Sequence, residues 1–244
     1  MFKRLFKTLI LLAVLGGLGY WGYTAVVNKQ ININHWFVGG MIRGVDVSSY
    51  QGDVDFASLR RQGISFAYVK ATEGATYVDE KFAQNWSRAA TAEMPVGAYH
   101  FFSYKVSGAE QAAHYIDTVG ALDERLIPVV DLELSSEQKA SAPEKSDVVK
   151  SLKVFMAALE EKYDVKPMIY STKDYYEKYL KDDFSDYPRW VRSVLWPVYI
   201  EAGGDWAVWQ YDDHGKLEGY SGTEEFIDMN VINANFGLDK LKMK

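Results

Sequence analysis

The segment Asp131-Leu132-Glu133 carries two carboxylates two residues apart, at the end of the apolar run 126–130. On an extended strand, side chains two residues apart point to the same side. A strand that is apolar along its body and acidic at its carboxyl end would place both groups where barrels and sheets bind ligands. Paired carboxylates hydrolyse glycosidic bonds: one protonates the leaving oxygen, and the other stabilises or attacks the sugar. For this segment taken alone, a solvated strand end is the alternative interpretation.

The elements that must position these carboxylates are indicated by the hydrophobic pattern. The runs predicted to be strands are 42–48, 64–71, 96–102, 127–133, 167–171, 189–194, 206–211 and 225–230. The amphipathic stretches predicted to be helices are 56–62, 80–92, 109–119, 145–162 and 173–180. Each of the first five strands precedes a helix, which indicates parallel β-α units, whereas loops join the last three. We therefore predict an α/β fold over residues 41–244, an irregular TIM-like (β/α) barrel with eight strands and missing helices.

The carboxyl ends of the predicted strands bring together carboxylates, amides and aromatic rings, a composition typical of sugar sites. Besides Asp131 and Glu133, the candidates at these ends are Asp46, Lys70, Tyr99, Tyr170, Trp209, Gln210, Asp228 and Asn230. Each has a purely structural alternative. The aromatic residues could pack in the core, Lys70 could pair with a core carboxylate, and the aspartates could cap loops.

The first thirty residues have a different composition from the rest. Lys3, Arg4 and Lys7 precede residues 8–27, which contain no charge and have about the length of a membrane-spanning helix. We predict a membrane anchor or uncleaved signal over 1–30 and a linker over 31–40. The catalytic domain would then lie on the outer side of the cytoplasmic membrane, held by a single pass. A cleaved signal peptide, which would leave a secreted protein, is the alternative.

The composition also excludes several classes of function. Without the four basic residues of 1–30, 23 basic residues remain against 33 acidic ones, which argues against nucleic acid as a partner. The chain has no cysteine, so thiol nucleophiles and disulfides are excluded. Its four histidines lack the paired spacing of a zinc site. We therefore expect neither a metal nor a cofactor.

Six motifs in order resemble the family 25 glycoside hydrolases, the Chalaropsis-type lysozymes or N-acetylmuramidases. They are GVDVSSYQG at 44–52, FAYVKATEG at 66–74, GAYHF at 97–101, VDLE at 130–133, WQY at 209–211 and DMN at 228–230. Together they extend over roughly residues 41–238. The resemblance implies an irregular barrel that cleaves the β-1,4 bond between N-acetylmuramic acid and N-acetylglucosamine in peptidoglycan, with retained configuration.

The same resemblance implies roles for individual residues. Glu133 would be the general acid/base, and Asp131 would stabilise the positive sugar ring or orient the 2-acetamido group as an internal nucleophile. Asp46 and Asp228 match the family's two other active-site carboxylates. The implied substrate-binding residues are Tyr99, Tyr170, Trp209, Lys70, Gln210 and Asn230. Arg192 is a departure, because many members have a Trp-x-Ala-x-Tyr-like sequence on this strand.

Two other functions are compatible with the sequence. One is a catalytically weak glycan-binding barrel, and the other is a hydrolase of another 2-acetamido polysaccharide such as chitin. The presence of all four carboxylates favours an enzyme. The predicted partners are peptidoglycan glycan strands and, through residues 8–27, the cytoplasmic membrane.

Overall fold

A closed barrel forms the body of the molecule in the computed structural model, which describes residues 2–134 and 136–243. The strands are β1 Ile42–Val47, β2 Phe66–Glu73, β3 Tyr77–Val78, β4 Val96–Phe101, β5 Val129–Leu132, β6 Met168–Thr172, β7 Arg189–Arg192, β8 Val208–Gly215 and β9 Ile227–Ile232. Their order in the sheet is β1-β9-β8-β7-β6-β5-β4-β2, and β1 also pairs with β2, which closes the ring. The short β3 forms a hairpin with β2 outside the ring. The predicted eight-strand barrel is confirmed.

Strand β9 gives the barrel its irregularity. It runs antiparallel to both of its neighbours, β1 and β8, whereas the other pairs in the ring are parallel. A parallel return would require a crossover of a dozen or more residues, and no described helix separates β8 from β9. The sequence pattern predicted β9 but not its direction.

The helices cover the outside of the barrel mainly in its first half. Helix α1, Phe2–Val27, precedes the barrel, and the helices around it are α2 Phe56–Arg61, α3 Phe82–Thr91, α4 Gly108–Val119, α5 Ser136–Ala140, α6 Lys145–Tyr163, α7 Lys173–Tyr175 and α8 Val198–Ala202. A π-helical turn, Tyr176–Leu180, continues α7. The short helices α5 and α8 were not predicted. With only α8 between β7 and β8, the second half lacks its full helical layer, as the sequence indicated.

Aromatic side chains fill the amino-terminal end of the barrel interior. Phe66 and Tyr68 are fully buried there, opposite glycines on the neighbouring strands. A Cβ atom on Gly44 would lie 2.3 Å from the Phe66 ring, and one on Gly97 would lie 2.2 Å from the Tyr68 ring. These two glycines therefore provide the space for the rings, and the interior is packed at this end, as in other barrels of this size.

Helix α1 precedes the barrel and contains the predicted membrane segment. Among its described apolar side chains, Leu11, Leu15 and Leu18 are exposed. In the part of the chain that the structure describes, no helix is both long and apolar enough to cross a membrane. The transmembrane helix predicted over 8–27 is therefore not supported by the structure. Seven of the eight residues 16–23 are glycine, tyrosine or tryptophan, which are less apolar than the leucine-rich residues before them.

The predicted linker is in close contact with the barrel. Its 3₁₀ helix, Ile33–Trp36, includes the fully buried Asn34. The Asn34 amide donates hydrogen bonds to the carbonyl oxygens of Ser193 (3.0 Å) and Tyr211 (2.9 Å). His35 lies 2.8 Å from the Asp212 carboxylate. Buried hydrogen bonds of this kind fix the connector against the β7 and β8 side of the barrel.

We predict that Asn34→Ala releases the connector. Loss of two buried hydrogen bonds, at about 1 kcal/mol each, raises the open population by at least about tenfold. Limited proteolysis measures this opening, because Trp36 is exposed and offers a chymotrypsin site once the connector is mobile. The exposed Asn235→Ala is the control. Equal cleavage rates in the two variants would show that these bonds do not hold the connector.

Candidate active site

A cleft of about 270 Å³ opens at the carboxyl ends of the parallel strands. The predicted residues that line it are Asp46, Lys70, Tyr99, Asp131, Glu133, Tyr170 and Asp228. They come from six different strands or strand ends, and they share one property. Each occupies an inward-pointing position in the alternation of its strand, so the barrel interior brings them together above the buried aromatic layer.

Asp46 and Asp228 are cross-strand neighbours. In the antiparallel register of β1 and β9 their Cα atoms are paired directly. Because β9 runs antiparallel, Asp228 lies near its amino end and not at a carboxyl end, which corrects the sequence-based placement. The reversal of β9 is therefore what brings the fourth carboxylate to the cleft.

Two buried amides hold Asp46. Its Oδ2 atom accepts hydrogen bonds from Asn230 Nδ2 (2.7 Å) and Gln210 Nε2 (3.1 Å). The amides are themselves oriented by cleft side chains: Trp190 Nε1 donates to Asn230 Oδ1 (2.8 Å), and the Tyr170 hydroxyl donates to Gln210 Oε1 (2.9 Å). Gln210 and Asn230 were predicted to bind substrate. The structure instead places them beneath the cleft, where they position Asp46.

Glu133 follows β5 and forms part of the walls of two cavities, the cleft and a neighbouring one of about 530 Å³. The Tyr104 hydroxyl donates a hydrogen bond to the Glu133 carbonyl oxygen (3.0 Å) and lies 2.8 Å from the Tyr175 hydroxyl. This contact fixes the backbone that carries the carboxylate, while the Glu133 side chain stays partly open to solvent.

Asp46, Asp131 and Asp228 have raised pKa values. Burial is the largest cause for each, and the charges of neighbouring carboxylates add to it. For Asp46 the pKa rises to about 6, even though the hydrogen bonds from Asn230 and Gln210 act in the opposite direction. The pKa values of Asp131 and Asp228 also lie well above the ordinary range. The cleft thus holds several carboxyl groups close together, and this proximity and their burial make the ionised forms less favourable.

Asp131 has one carboxylate oxygen without a partner. Its Oδ1 atom is buried, and within the described part of the chain it accepts no hydrogen bond. A buried carboxylate oxygen left in this state is costly unless another group meets it. It is therefore free to accept a hydrogen bond from a ligand in the cleft.

Two cations face these acids from opposite sides. Lys70 is largely buried, bonds Glu73 (2.7 Å) and lies 5.0 Å from the centre of the Phe101 ring. Arg192 donates to Asp213 (2.9 Å), which lines the rim of the cleft. The positive charge of Arg192 acts against the raised pKa values of Asp46 and Asp228. Arg192 therefore offsets part of the repulsion within the cluster.

Trp209 is not brought to the cleft. It is fully buried on the outward side of β8, where its Nε1 atom donates to the Ser193 carbonyl (2.9 Å) and its ring packs against Trp206. Adjacent strand residues point to opposite faces, so Trp209 and Gln210 cannot share a direction. Trp190 lines the cleft in its place, beside Tyr170. The sequence contained a signal for Trp190, because it lies two residues before Arg192 on β7 and therefore points to the same side of the strand.

One group beside the rim of the cleft has metal-like spacing. Ligand atoms of Asp212, Asp213 and His214 lie within 4.8 Å of one another. His35 already bonds Asp212, and Lys29 and Arg192 bond Asp213. Since these contacts satisfy the carboxylates, nothing in the group requires a metal.

Comparisons with known proteins agree with this geometry. The family model described as Glycosyl hydrolases family 25 matches residues 45–220. Protein YegX of Escherichia coli K12 is 33% identical over 220 residues, which cover 88% of this chain and 77% of YegX. Lysozyme M1 of Streptomyces globisporus is 29% identical over 204 residues, covering 80% of this chain and 68% of the lysozyme. The solved structure of a family 25 glycosyl hydrolase from Bacillus anthracis superimposes with a TM-score of 0.74 at 42% identity, covering 80% of this chain and 90% of that one.

We predict that Asp46→Asn changes the pH dependence of stability. The pKa of Asp46 is about 6 in the folded protein, against 3.8 in the unfolded chain. The stability that the protonated Asp46 contributes is therefore fully present below about pH 4 and is lost as the pH rises through 6. The asparagine does not titrate, so it removes a cost of up to about 3 kcal/mol at pH 7. Urea unfolding measures this effect. The free energy of unfolding of the variant minus that of the wild type should be more positive at pH 7 than at pH 4.

The control for this prediction is Asp53→Asn, on the surface. Lys81 lowers the Asp53 pKa, so its contribution to stability is present at pH 7 and is lost on acidification. Between pH 7 and pH 4 the same difference should therefore be small and of the opposite sign for Asp53→Asn, because most of its loss falls below pH 4. An Asp46→Asn difference that is independent of pH would contradict the burial of a titrating carboxyl at this position.

Proposed function

The chain belongs to glycosyl hydrolase family 25, and from that premise we propose how its cleft hydrolyses peptidoglycan as a lysozyme-type muramidase. The bond cleaved is the β-1,4 bond between N-acetylmuramic acid and N-acetylglucosamine. Several curated relatives are named lysozyme or N,O-diacetylmuramidase. The observation that carries the mechanism is the cleft itself, in which Glu133 and the unpartnered Asp131 oxygen occur beside two further acids.

Glu133 is the general acid/base of this proposal. It donates a proton to the glycosidic oxygen as the bond to the muramic acid C1 breaks. In the second step it accepts a proton from the water that attacks C1. Its position supports this role, because it lines the cleft with its side chain partly open to solvent, so a glycan bound in the cleft would present its linking oxygen to the carboxyl.

Asp131 orients the 2-acetamido group of the substrate. Its Oδ1 atom accepts the acetamido N–H, and the acetamido carbonyl oxygen then attacks C1 from the face opposite the leaving group. A cyclic oxazolinium ion forms, and its opening by water at C1 gives net retention. Burial disfavours the Asp131 anion in the free protein, whereas the hydrogen bond from the substrate favours it. The hydrogen bond between Asp131 and the acetamido N–H therefore strengthens as positive charge develops on the acetamido group in the transition state.

The remaining cleft residues hold the sugar and the electrostatics. Tyr99, Tyr170 and Trp190 present aromatic surfaces to the cleft, and sugar rings stack on such surfaces. Asp46 and Asp228 lie in the same cleft, and a positive charge that develops on the reacting ring favours their ionised forms, which in turn stabilise the cationic transition state. Neutral glycan without a 2-acetamido group would lack the nucleophile.

We predict that Glu133→Gln lowers the turnover of purified peptidoglycan by at least about 100-fold, because the amide cannot donate the proton. The assay measures released reducing ends and identifies the terminal sugar by mass spectrometry. Glu224→Gln, at the rim of the same cleft and exposed, is the matched control and should retain most activity.

More than about a tenth of wild-type turnover in Glu133→Gln would overturn the acid assignment, given the size of acid catalysis. The terminal sugar separates the competing functions. N-acetylmuramic acid supports a muramidase, equal cleavage of chitin oligomers supports a general 2-acetamido hydrolase, and binding without cleavage supports a glycan-binding barrel.

We also propose that residues 8–27 anchor the enzyme on the outer side of the cytoplasmic membrane. The support is the uncharged sequence of 8–27, the preceding Lys3, Arg4 and Lys7, and the exposure of the described leucines of α1. A helix of 26 residues is about 39 Å long, enough to cross the hydrocarbon core.

We predict that fractionation of expressing cells leaves the full-length protein in the membrane pellet after a high-salt wash. Salt does not weaken hydrophobic burial, so an inserted helix stays bound whereas a charged surface contact is released. A form that begins at residue 28 is the control and should be recovered without membrane. A soluble product that lacks its first residues would identify the segment as a cleaved signal.

A further inference from the structure

The second cavity beside Glu133 is not explained by hydrolysis alone. It is about 530 Å³ in volume and shares Glu133 with the cleft. Lys139 of α5, Lys178 of the π-helical turn and Arg192 of β7 line it, together with the rings of Tyr175 and Tyr179. Its wall is therefore part cationic and part aromatic.

The charge of this cavity is opposite to that of the chain. The protein has a net charge of −6, yet here three cations face two acids, Asp174 and Glu133. Within the described residues, neither Lys139 nor Lys178 forms an ion pair with a carboxylate. Lys178 Nζ lies 4.8 Å from the centre of the Tyr179 ring, a cation-π contact that holds it at the cavity wall.

Arg192 contributes a third cation to the same wall. One of its nitrogens donates to Asp213, and a guanidinium has further N–H groups for a second acceptor. Neutral sugar hydroxyls do not require three cations, whereas carboxylates bind to lysine and arginine by charge-assisted hydrogen bonds. The chemistry of the cavity thus favours an anionic ligand.

We propose that this cavity binds the acidic peptide attached to the muramic acid at the scissile bond. The inference rests on the proposed function, because that bond is at C1 of a muramic acid whose lactyl ether at C3 bears the peptide. The peptide therefore begins about one sugar ring from Glu133, and the cavity that shares Glu133 is within its reach. Its free carboxylates meet Lys139, Lys178 and Arg192, and its aliphatic parts lie on Tyr175 and Tyr179.

The test compares two substrates and two variants. The substrates are peptide-bearing peptidoglycan and the same glycan after an amidase has removed its peptides, which leaves the lactyl carboxylate in place. The double variant Lys139→Gln/Lys178→Gln removes two cations without touching Arg192 or the catalytic carboxylates. The control is Lys150→Gln, an exposed lysine of α6 outside both cavities.

We expect the wild type to have a higher kcat/KM on the peptide-bearing substrate. In the double variant the ratio of kcat/KM on the two substrates should fall by about three- to tenfold, that is about 0.7 to 1.4 kcal/mol for the two partly exposed pairs together. Lys150→Gln should leave the ratio unchanged. Added salt should reduce the wild-type preference, as screening weakens the pairs.

Three results would overturn the proposal: no wild-type preference, an unchanged ratio in the double variant, or an equal loss on both substrates. The last would mean that the lysines act on the glycan or on folding. If the wild type cleaves neither substrate, the proposed function fails, and calorimetric binding of N-acetylmuramyl pentapeptide decides the site separately. Weaker binding to the double variant than to the wild type would still support it, and equal or absent binding would refute it.

Discussion

The cleft depends on one pairing, that of Asp46 with Asp228 across β1 and β9. This pairing closes the barrel, because β9 is inserted antiparallel between β8 and β1. It also puts two carboxylates side by side at the open end of the interior, above the buried rings of Phe66 and Tyr68. Closing the barrel and assembling the acidic cluster are therefore one structural event, and a parallel last strand would have placed Asp228 at the opposite end.

Holding these acids together costs folding free energy, and the surrounding residues limit that cost. Asn230 and Gln210 donate to Asp46, and Arg192 supplies a positive charge nearby. The amides have no freedom to leave, because Trp190 and Tyr170 hold their oxygens. The aromatic residues that line the cleft thus also fix the groups beneath it. A change at either ring would alter the wall of the cleft and the electrostatics of Asp46 together.

Much of this architecture could be predicted from the sequence, because apolar runs and their spacing determine which segments become strands. The eight strands and the acidic cleft followed from that pattern. The direction of strand β9 and the depth of individual side chains in the barrel did not follow from it. Periodicity carries no information on strand direction, so the reversal of β9 was not predicted. Asn230 and Asp228 face the same way, but only the register shows that Asn230 lies one level deeper. Trp209 was assigned to the cleft on composition, although its neighbour Gln210 already occupied the inward position.

The connector links the amino-terminal segment to the electrostatics of the cleft. Asp213 accepts hydrogen bonds from both Lys29, at the end of α1, and Arg192, at the cleft rim. One negative charge between two positive ones leaves this group of three side chains with a net positive charge, so Asp213 does not neutralise Arg192 completely. The remaining positive charge of Arg192 acts on Asp228, whose pKa is raised, on one side and on the second, cationic cavity on the other. If Lys29 were withdrawn, Asp213 would keep its contacts with Arg192 and His214 but lose one lysine charge, and the attraction that Arg192 exerts on anions nearby would weaken. The amino-terminal connector therefore contributes to how strongly the site binds anions.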